Sequence, residues 1–229
     1  MLSLKSVHAS IARIPILRDI NLEIDPAETI ALVGRNGAGK TTLLRTIMGF
    51  TACQGAMTFE GADLTAIPPH LRPGLGIGYA PEDRRLFSRF TITENILLPA
   101  RVARLDDAET QRRLQRIYLV MPELETLGPR PAGSVSGGQG KMVALGRAMM
   151  LSTRLLLLDE PFQGLAPVLA NRYAEALGKL RELDPTLAIV ITESNPALLR
   201  NFASRTVTVE RGQIDSDVPT TPDVPAALV

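Results

Sequence analysis

Between the apolar pentapeptide Thr29-Ile30-Ala31-Leu32-Val33 and a helix-forming stretch over residues 41–48 stands Gly34-Arg35-Asn36-Gly37-Ala38-Gly39-Lys40-Thr41, and this octapeptide leaves the chain few folds to choose from. It fits the pattern G-x-x-x-x-G-K-[ST]. The glycines let successive backbone N–H groups turn inward around phosphate oxygens, the lysine adds a point charge, and the closing hydroxyl can hold Mg²⁺. Such a loop needs a buried strand to aim it and a helix N-terminus to receive the anion. A strand–loop–helix unit is therefore implied, with Gly34, Arg35, Asn36, Gly37, Ala38, Gly39, Lys40, Thr41 and Thr42 as nucleotide-binding candidates.

The rest of the chain reads as an α/β core of βαβ type interrupted by helices. Strand patterns cover residues 3–7, 21–24, 29–33, 56–60 and 76–80, with Pro68, Pro69 and Pro73 marking an irregular stretch before the last of these. From residue 93 to 150 the period turns helical. Residues 106–120 begin acidic and continue basic, as a helix dipole prefers. Strand signals return at residues 155–158, 187–191 and 206–210, with a helix over 168–183 between the first two. The expected division is a core of residues 1–85 and 151–214, a helical subdomain of residues 86–150, and a frayed, Pro- and Asp-rich tail from 215 to 229.

Composition narrows function. A net charge of +1 leaves no electrostatic footprint for nucleic acid, and the arginines gathered between residues 84 and 116 read as a solvated helical face. The single cysteine, Cys53, excludes an internal disulfide and fits a reducing compartment. The N-terminus lacks a signal-peptide profile, and no apolar run approaches the roughly 20 residues that span a bilayer, so a membrane role would run through a partner.

Two further motifs carry chemistry. Leu155-Leu156-Leu157-Leu158-Asp159-Glu160 delivers two carboxylates to the end of a buried strand, where open α/β sheets bind ligands. Asp159 there suits Mg²⁺, and Glu160 can orient or deprotonate an attacking water. Ser136-Gly137-Gly138-Gln139 precedes an apolar helix over residues 142–151. Ser136 and Gln139 have the spacing of a capping box, and the same helix start offers N–H groups to an anion. One nucleotide could bridge this second anion site and Lys40 if two subunits meet head to tail.

In this order the three motifs resemble the ATP-binding subunit of an ABC transporter, a likeness that covers residues 2 to about 214. Finer details resemble the branched-chain amino acid uptake group: Tyr79-Ala80-Pro81-Glu82-Asp83-Arg84-Arg85-Leu86-Phe87 and Gly164-Leu165-Ala166-Pro167. The resemblance implies one ABC ATPase domain over residues 1–229: a P-loop NTPase, RecA-like core with an antiparallel β-subdomain and an inserted α-helical subdomain. It implies ATP with Mg²⁺, hydrolysis using Lys40, Glu160 and the residue at Ser194, and metal ligation by Thr41 and Asp159. Nucleotide contacts are implied for Ile11, Glu82 and Ser136–Gln139. Implied partners are integral permease subunits, a second ATP-binding subunit, identical or not, and indirectly a solute-binding protein, with no nucleic acid. The place is peripheral, on the cytoplasmic face of the inner or plasma membrane.

Several positions depart from the family pattern. Ile11 stands where an adenine-stacking aromatic is expected, Glu82 where most members carry glutamine, and Ser194 where a longer histidine or glutamine is common. Val135 opens the second anion motif in place of leucine, and Gly140 follows it where glutamine is usual. Three readings stay open on sequence alone: an importer's ATPase motor, an ATP-gated partner of poor hydrolysis in an asymmetric transporter, and a soluble ABC protein acting on nucleic acid. Phe87 and Phe90, in a segment resembling the one that links core to lobe, read either as lobe core or as permease contacts.

Overall fold

The computed structural model describes residues 1–200 and 202–220. Two sheets and a helical lobe make up the fold. The first sheet is antiparallel, in the order β2 (Ile14–Ile24), β1 (Leu2–Ile11), β4 (Cys53–Phe59) and β5 (Ala62–Asp63). Register shifts interrupt the pairing of β1 with β2 and β4, which hides the full strand lengths from a strict period-two reading. The second sheet runs β10 (Gln213–Pro219), β9 (Arg205–Glu210), β3 (Thr29–Val33), β8 (Ala188–Glu193), β7 (Leu155–Asp159) and β6 (Ile77–Ala80). All its neighbours pair in parallel except β9 with β10.

The parallel strands are buried on both faces, so their side chains divide between two cores. Ile30 and Leu32 of β3, Leu155 and Leu157 of β7, and Ala188 and Val190 of β8 join the antiparallel sheet and α1 (Lys40–Ile47). Their alternates Ala31, Val33, Leu156, Leu158, Ile189 and Ile191 face the other way. There they meet α6 (Pro167–Leu183) and the lobe of α2 (Ile92–Ala103), α3 (Asp107–Val120), α4 (Pro122–Leu127) and α5 (Gly137–Met149). The lobe lies in sequence between β6 and β7.

Three expectations need correction. The chain does not fray after Ile214: β10 continues to Pro219, pairing Val218 with Thr206, and Asp217 lies 3.1 Å from Arg205 Nε. Acidic and proline residues on an edge strand disguise it; residues 221–229 of the expected tail lie outside those described. The arginines at 113 and 116 are not simply solvated. Arg113 donates to Met150 O and pairs with Glu109, while Arg116 pairs with Asp184. Phe87 and Phe90 are not core: they are 51% and 37% exposed and stack on each other with centroids 5.4 Å apart. Their segment is pinned from beneath by the buried Asn95, which accepts from Phe87 N and donates to the carbonyls of Phe87 and Thr91.

Arg72 holds α1 in place. It is 4% exposed, and among the described residues no carboxylate lies within ion-pair distance of it. Its guanidinium donates to the carbonyls of Thr46 and Ile47 at the end of α1, and to those of Leu64 and Ile67. The Ile47 carbonyl, left open by the last turn of the helix, thus finds a donor, and that of Thr46 gains a second beside Gly49 N. Gly49 permits it, since a Cβ there would lie 2.7 Å from Arg72 Cζ. Replacing Arg72 by Met should leave these carbonyls short of donors and lower unfolding free energy by about 3 kcal/mol, read from urea denaturation; an unchanged midpoint would remove Arg72 from this role.

Candidate functional site

The carboxyl ends of β3, β8 and β7 lie side by side, and the candidate residues gather there. Buried, continuous apolar strands bring polar residues to this edge only where they stop: Val33 into the loop, Ile191 into Thr192, Leu158 into Asp159. Gly39 caps α1 with φ +115°, and a Cβ on it would press within 3.1 Å of Leu17 Cδ2, so glycine suits both backbone and space. Lys40 therefore begins the helix with its ammonium folded back over the loop.

Lys40 is 4% exposed and fully engaged. Its Nζ donates to Gly34 O at 2.7 Å and lies 3.0 Å from Glu160 Oε1, with Arg35 O and Ser194 Oγ at 3.4 Å. Ser194 Oγ stands 2.6 Å from Asn36 Oδ1 and 3.0 Å from Glu160 Oε1, so its single proton can serve either. Beside this cluster Thr41 Oγ1 donates to Asp159 Oδ1 at 2.9 Å. Thr192 Oγ1 donates to the same oxygen at 2.9 Å, and the Tyr79 hydroxyl to Oδ2 at 3.2 Å. Burial raises the Asp159 pKa, against these three donors. Burial, then the Asp159 charge, pushes the Tyr79 phenol up and keeps it a donor. A hydroxyl and a carboxylate oxygen in contact are hard donors of the kind Mg²⁺ takes.

Glu160 has φ +44°, a left-handed conformation rare outside glycine. The surroundings over-determine it. Its N–H donates to Thr192 Oγ1 at 2.9 Å, its carbonyl accepts from Lys141 Nζ at 2.6 Å, and two residues on, Phe162 N donates to Glu193 Oε1 at 2.9 Å.

The remaining candidates spread outward. Glu82 is exposed and helps line a cavity of about 500 Å³ beside Thr41 and Asp159, with Arg45, Phe50, Tyr79 and Arg85. Ile11 is 48% exposed at the tip of the β1–β2 hairpin, opposite Ile14. Ser136 and Gln139 do form the reciprocal capping box, Ser136 N to Gln139 Oε1 and Gln139 N to Ser136 Oγ. Gly140 lets the Arg84 chain lie against α5, where its Nη1 reaches Gly137 O. Among the described residues no hydrogen bond joins 136–139 to the loop of 34–42.

Sequence reasoning passed over Thr192, Glu193 and Lys141. The first two had a signal: polar residues ending an apolar strand, the same pattern that marks Asp159 and Glu160. Lys141 had a fainter one, a lone cation in the second turn of an apolar helix.

The described residues contain no helix long and apolar enough to cross a membrane. The sequence profile described as ABC transporter matches residues 17–163. The high-affinity branched-chain amino acid transport ATP-binding protein BraG of Pseudomonas aeruginosa is 36% identical over 215 residues, covering 93% of this chain and 91% of the relative. The probable branched-chain amino acid transport ATP-binding protein LivF of Archaeoglobus fulgidus is 35% identical over 196 residues, 85% and 82% of the two. A solved ATP-binding subunit of an ABC transporter superposes with a TM-score of 0.84 at 27% identity, covering 96% and 90%.

Glu193 makes the site's stability depend on pH. Burial, only partly offset by the Phe162 N–H, raises its pKa from 4.5 to about 7. The native state then binds more protons than the unfolded one between these values. Stability from this group is full below pH 4.5 and is lost as pH rises through about 7. Glu193→Gln should flatten the decline, so that the variant gains on the parent in urea unfolding between pH 5.5 and 8; parallel curves would contradict this.

Proposed function

Because this chain belongs to the ABC transporter family, we propose that it is the ATP-hydrolysing subunit of an importer for branched-chain amino acids or related small solutes. The observation that carries the catalytic part is the meeting of Lys40, Thr41, Asp159 and Glu160 within hydrogen-bonding reach across the carboxyl end of β8, which lies between β3 and β7. The names of BraG and LivF, with the Tyr79–Phe87 stretch, support the solute class.

In this reading the N–H groups of residues 34–42 hold the nucleotide phosphates, and Ile11 packs an aliphatic face on the base. Lys40 lets go of Glu160 and takes the β- and γ-phosphate oxygens. Freed, Glu160 accepts the proton of the attacking water. Ser194, within reach of Glu160 and Asn36, holds that water or its proton on the γ-phosphate side. Thr41 and Asp159 fit Mg²⁺, which when bound neutralises charge on the phosphate oxygens. Glu82 flanks this side of the site. Ser136–Gln139, not hydrogen-bonded to the loop among the described residues, suit the nucleotide held by a second ATP-binding subunit. The exposed Phe87–Phe90 pair fits an integral permease subunit, and in this reading the chain works peripherally at the cytoplasmic face. A solute-binding protein would act only through that permease, and nucleic acid has no part.

Two variants test the assignment. Lys40→Ala should weaken ATP binding at least about 100-fold, since two charge-assisted contacts go. Titration calorimetry reads this, and unchanged affinity would overturn the phosphate role. Glu160→Gln should retain ATP within a few-fold while turnover drops about 10²–10⁴-fold. A variant that turns over like its parent would remove Glu160 from proton transfer. Turnover of the parent, alone and with its partners, separates the motor from a hydrolysis-poor subunit.

A further inference from the structure

The loop after β7 is held by side chains from two directions. Thr192 and Glu193 grip it from β8, and among the described residues Lys141 is the one lobe side chain that hydrogen-bonds to it. Lys141 is half-buried, and burial lowers its pKa. The acids around it are Glu193, Glu82 and Glu160, with Arg84 as the opposing cation. Yet among the described residues none of these carboxylates lies within ion-pair distance of its ammonium, which donates instead to the backbone carbonyl of Glu160, at 2.6 Å. A cation placed among carboxylates but bonded to a carbonyl fixes a peptide plane. That plane belongs to Glu160, a non-glycine residue in a left-handed conformation.

The same helix starts at Ser136–Gln139, one turn before Lys141. Lys141 is the fifth residue after Ser136, so about 8 Å of hydrogen-bonded helix joins them. Helix α5 is stiff over this length, its first turn locked by the capping box and Gly138 packed against Leu169. Any displacement of its N-terminus is passed to the Glu160 carbonyl.

We propose that Lys141 is a positioning residue for Glu160, tying the backbone of that carboxylate to the helix that bears Ser136–Gln139, so that movement of α5 re-aims Glu160. This rests on the role given to Glu160 above. The occupant of one nucleotide site, through the helix start it contacts, thereby sets the carboxylate that serves the other site of a dimer.

The test uses the full chain with Mg²⁺ and ATP. Lys141→Met keeps length and apolar stem but loses the donor; Lys141→Arg keeps a donor. Lys141→Met should lower kcat about tenfold with KM for ATP within about twofold, because only the transition state needs the carboxylate aimed. Lys141→Arg should recover most of the loss. In a Glu160→Gln background, Lys141→Met should leave the residual rate within about twofold, since the two act through one group. Amide exchange at Glu160 and Phe162, followed without nucleotide, should quicken about tenfold in Lys141→Met. Unchanged kcat, an equal loss in the Glu160→Gln background, or unchanged exchange would each overturn the proposal. If the parent hydrolyses no ATP, the ATPase reading falls, and the exchange measurement still decides whether Lys141 holds the loop. Should Lys141→Met fail to fold, Lys141→Leu, which likewise has no donor, takes its place in the same comparisons.

Discussion

Everything at this site depends on β8 being hydrogen-bonded to β3 on one side and β7 on the other. The phosphate loop and the paired carboxylates end strands that never touch. The strand between them must supply whatever spans the gap. Thr192 sits opposite Leu32 and Asp159 in the two registers, and its hydroxyl serves both Asp159 and Glu160. One residue further, Glu193 reaches back under the loop to Phe162; a second step brings Ser194 to Asn36 and Glu160. An apolar strand can present such a series only at its carboxyl end, beyond the last buried pair, where parallel sheets open their crevice.

The arrangement is self-satisfied as it stands. Lys40 is shared between a carbonyl of its own loop and a carboxylate from β7. A buried ammonium left alone would be expensive, and a buried carboxylate likewise, so each stands in for the other's eventual partner. Nucleotide binding is then an exchange of partners, and its measured affinity is a difference between two sets of strong contacts.

What the sequence revealed and what it hid follow from range. The phosphate loop was legible because its chemistry is local: glycine spacing, an apolar strand before it, a helix after it. The Ser136–Gln139 cap was legible for the same reason, both partners lying within one turn. Asp159 and Glu160 showed as acids ending a leucine run. Thr192, Glu193 and Lys141 were missed because their meaning lies in partners 19 to 33 residues away. The antiparallel strands were underestimated where bulges break the alternation, and β10 where acids and proline on an edge look like linker. Phe87 and Phe90 stayed ambiguous because aromatics in the segment linking core to lobe suit either a core or a contact; only the structure shows the pair turned outward over a buried Asn95.

Arg72 has a consequence that reaches the opposite end of the helix it holds. The aligned peptide dipoles of α1 amount to about half a positive charge at the phosphate-facing end and half a negative one at the other. Over eight residues these poles are only about 12 Å apart, close enough for the far pole to weaken the field of the near one. A buried guanidinium seated on the carbonyls of Thr46 and Ile47 cancels that far pole. The helix is left electrically one-ended. A short segment that would otherwise be a weak source thus presents an almost uncompensated positive pole to anions, its strength set by a residue outside the loop altogether.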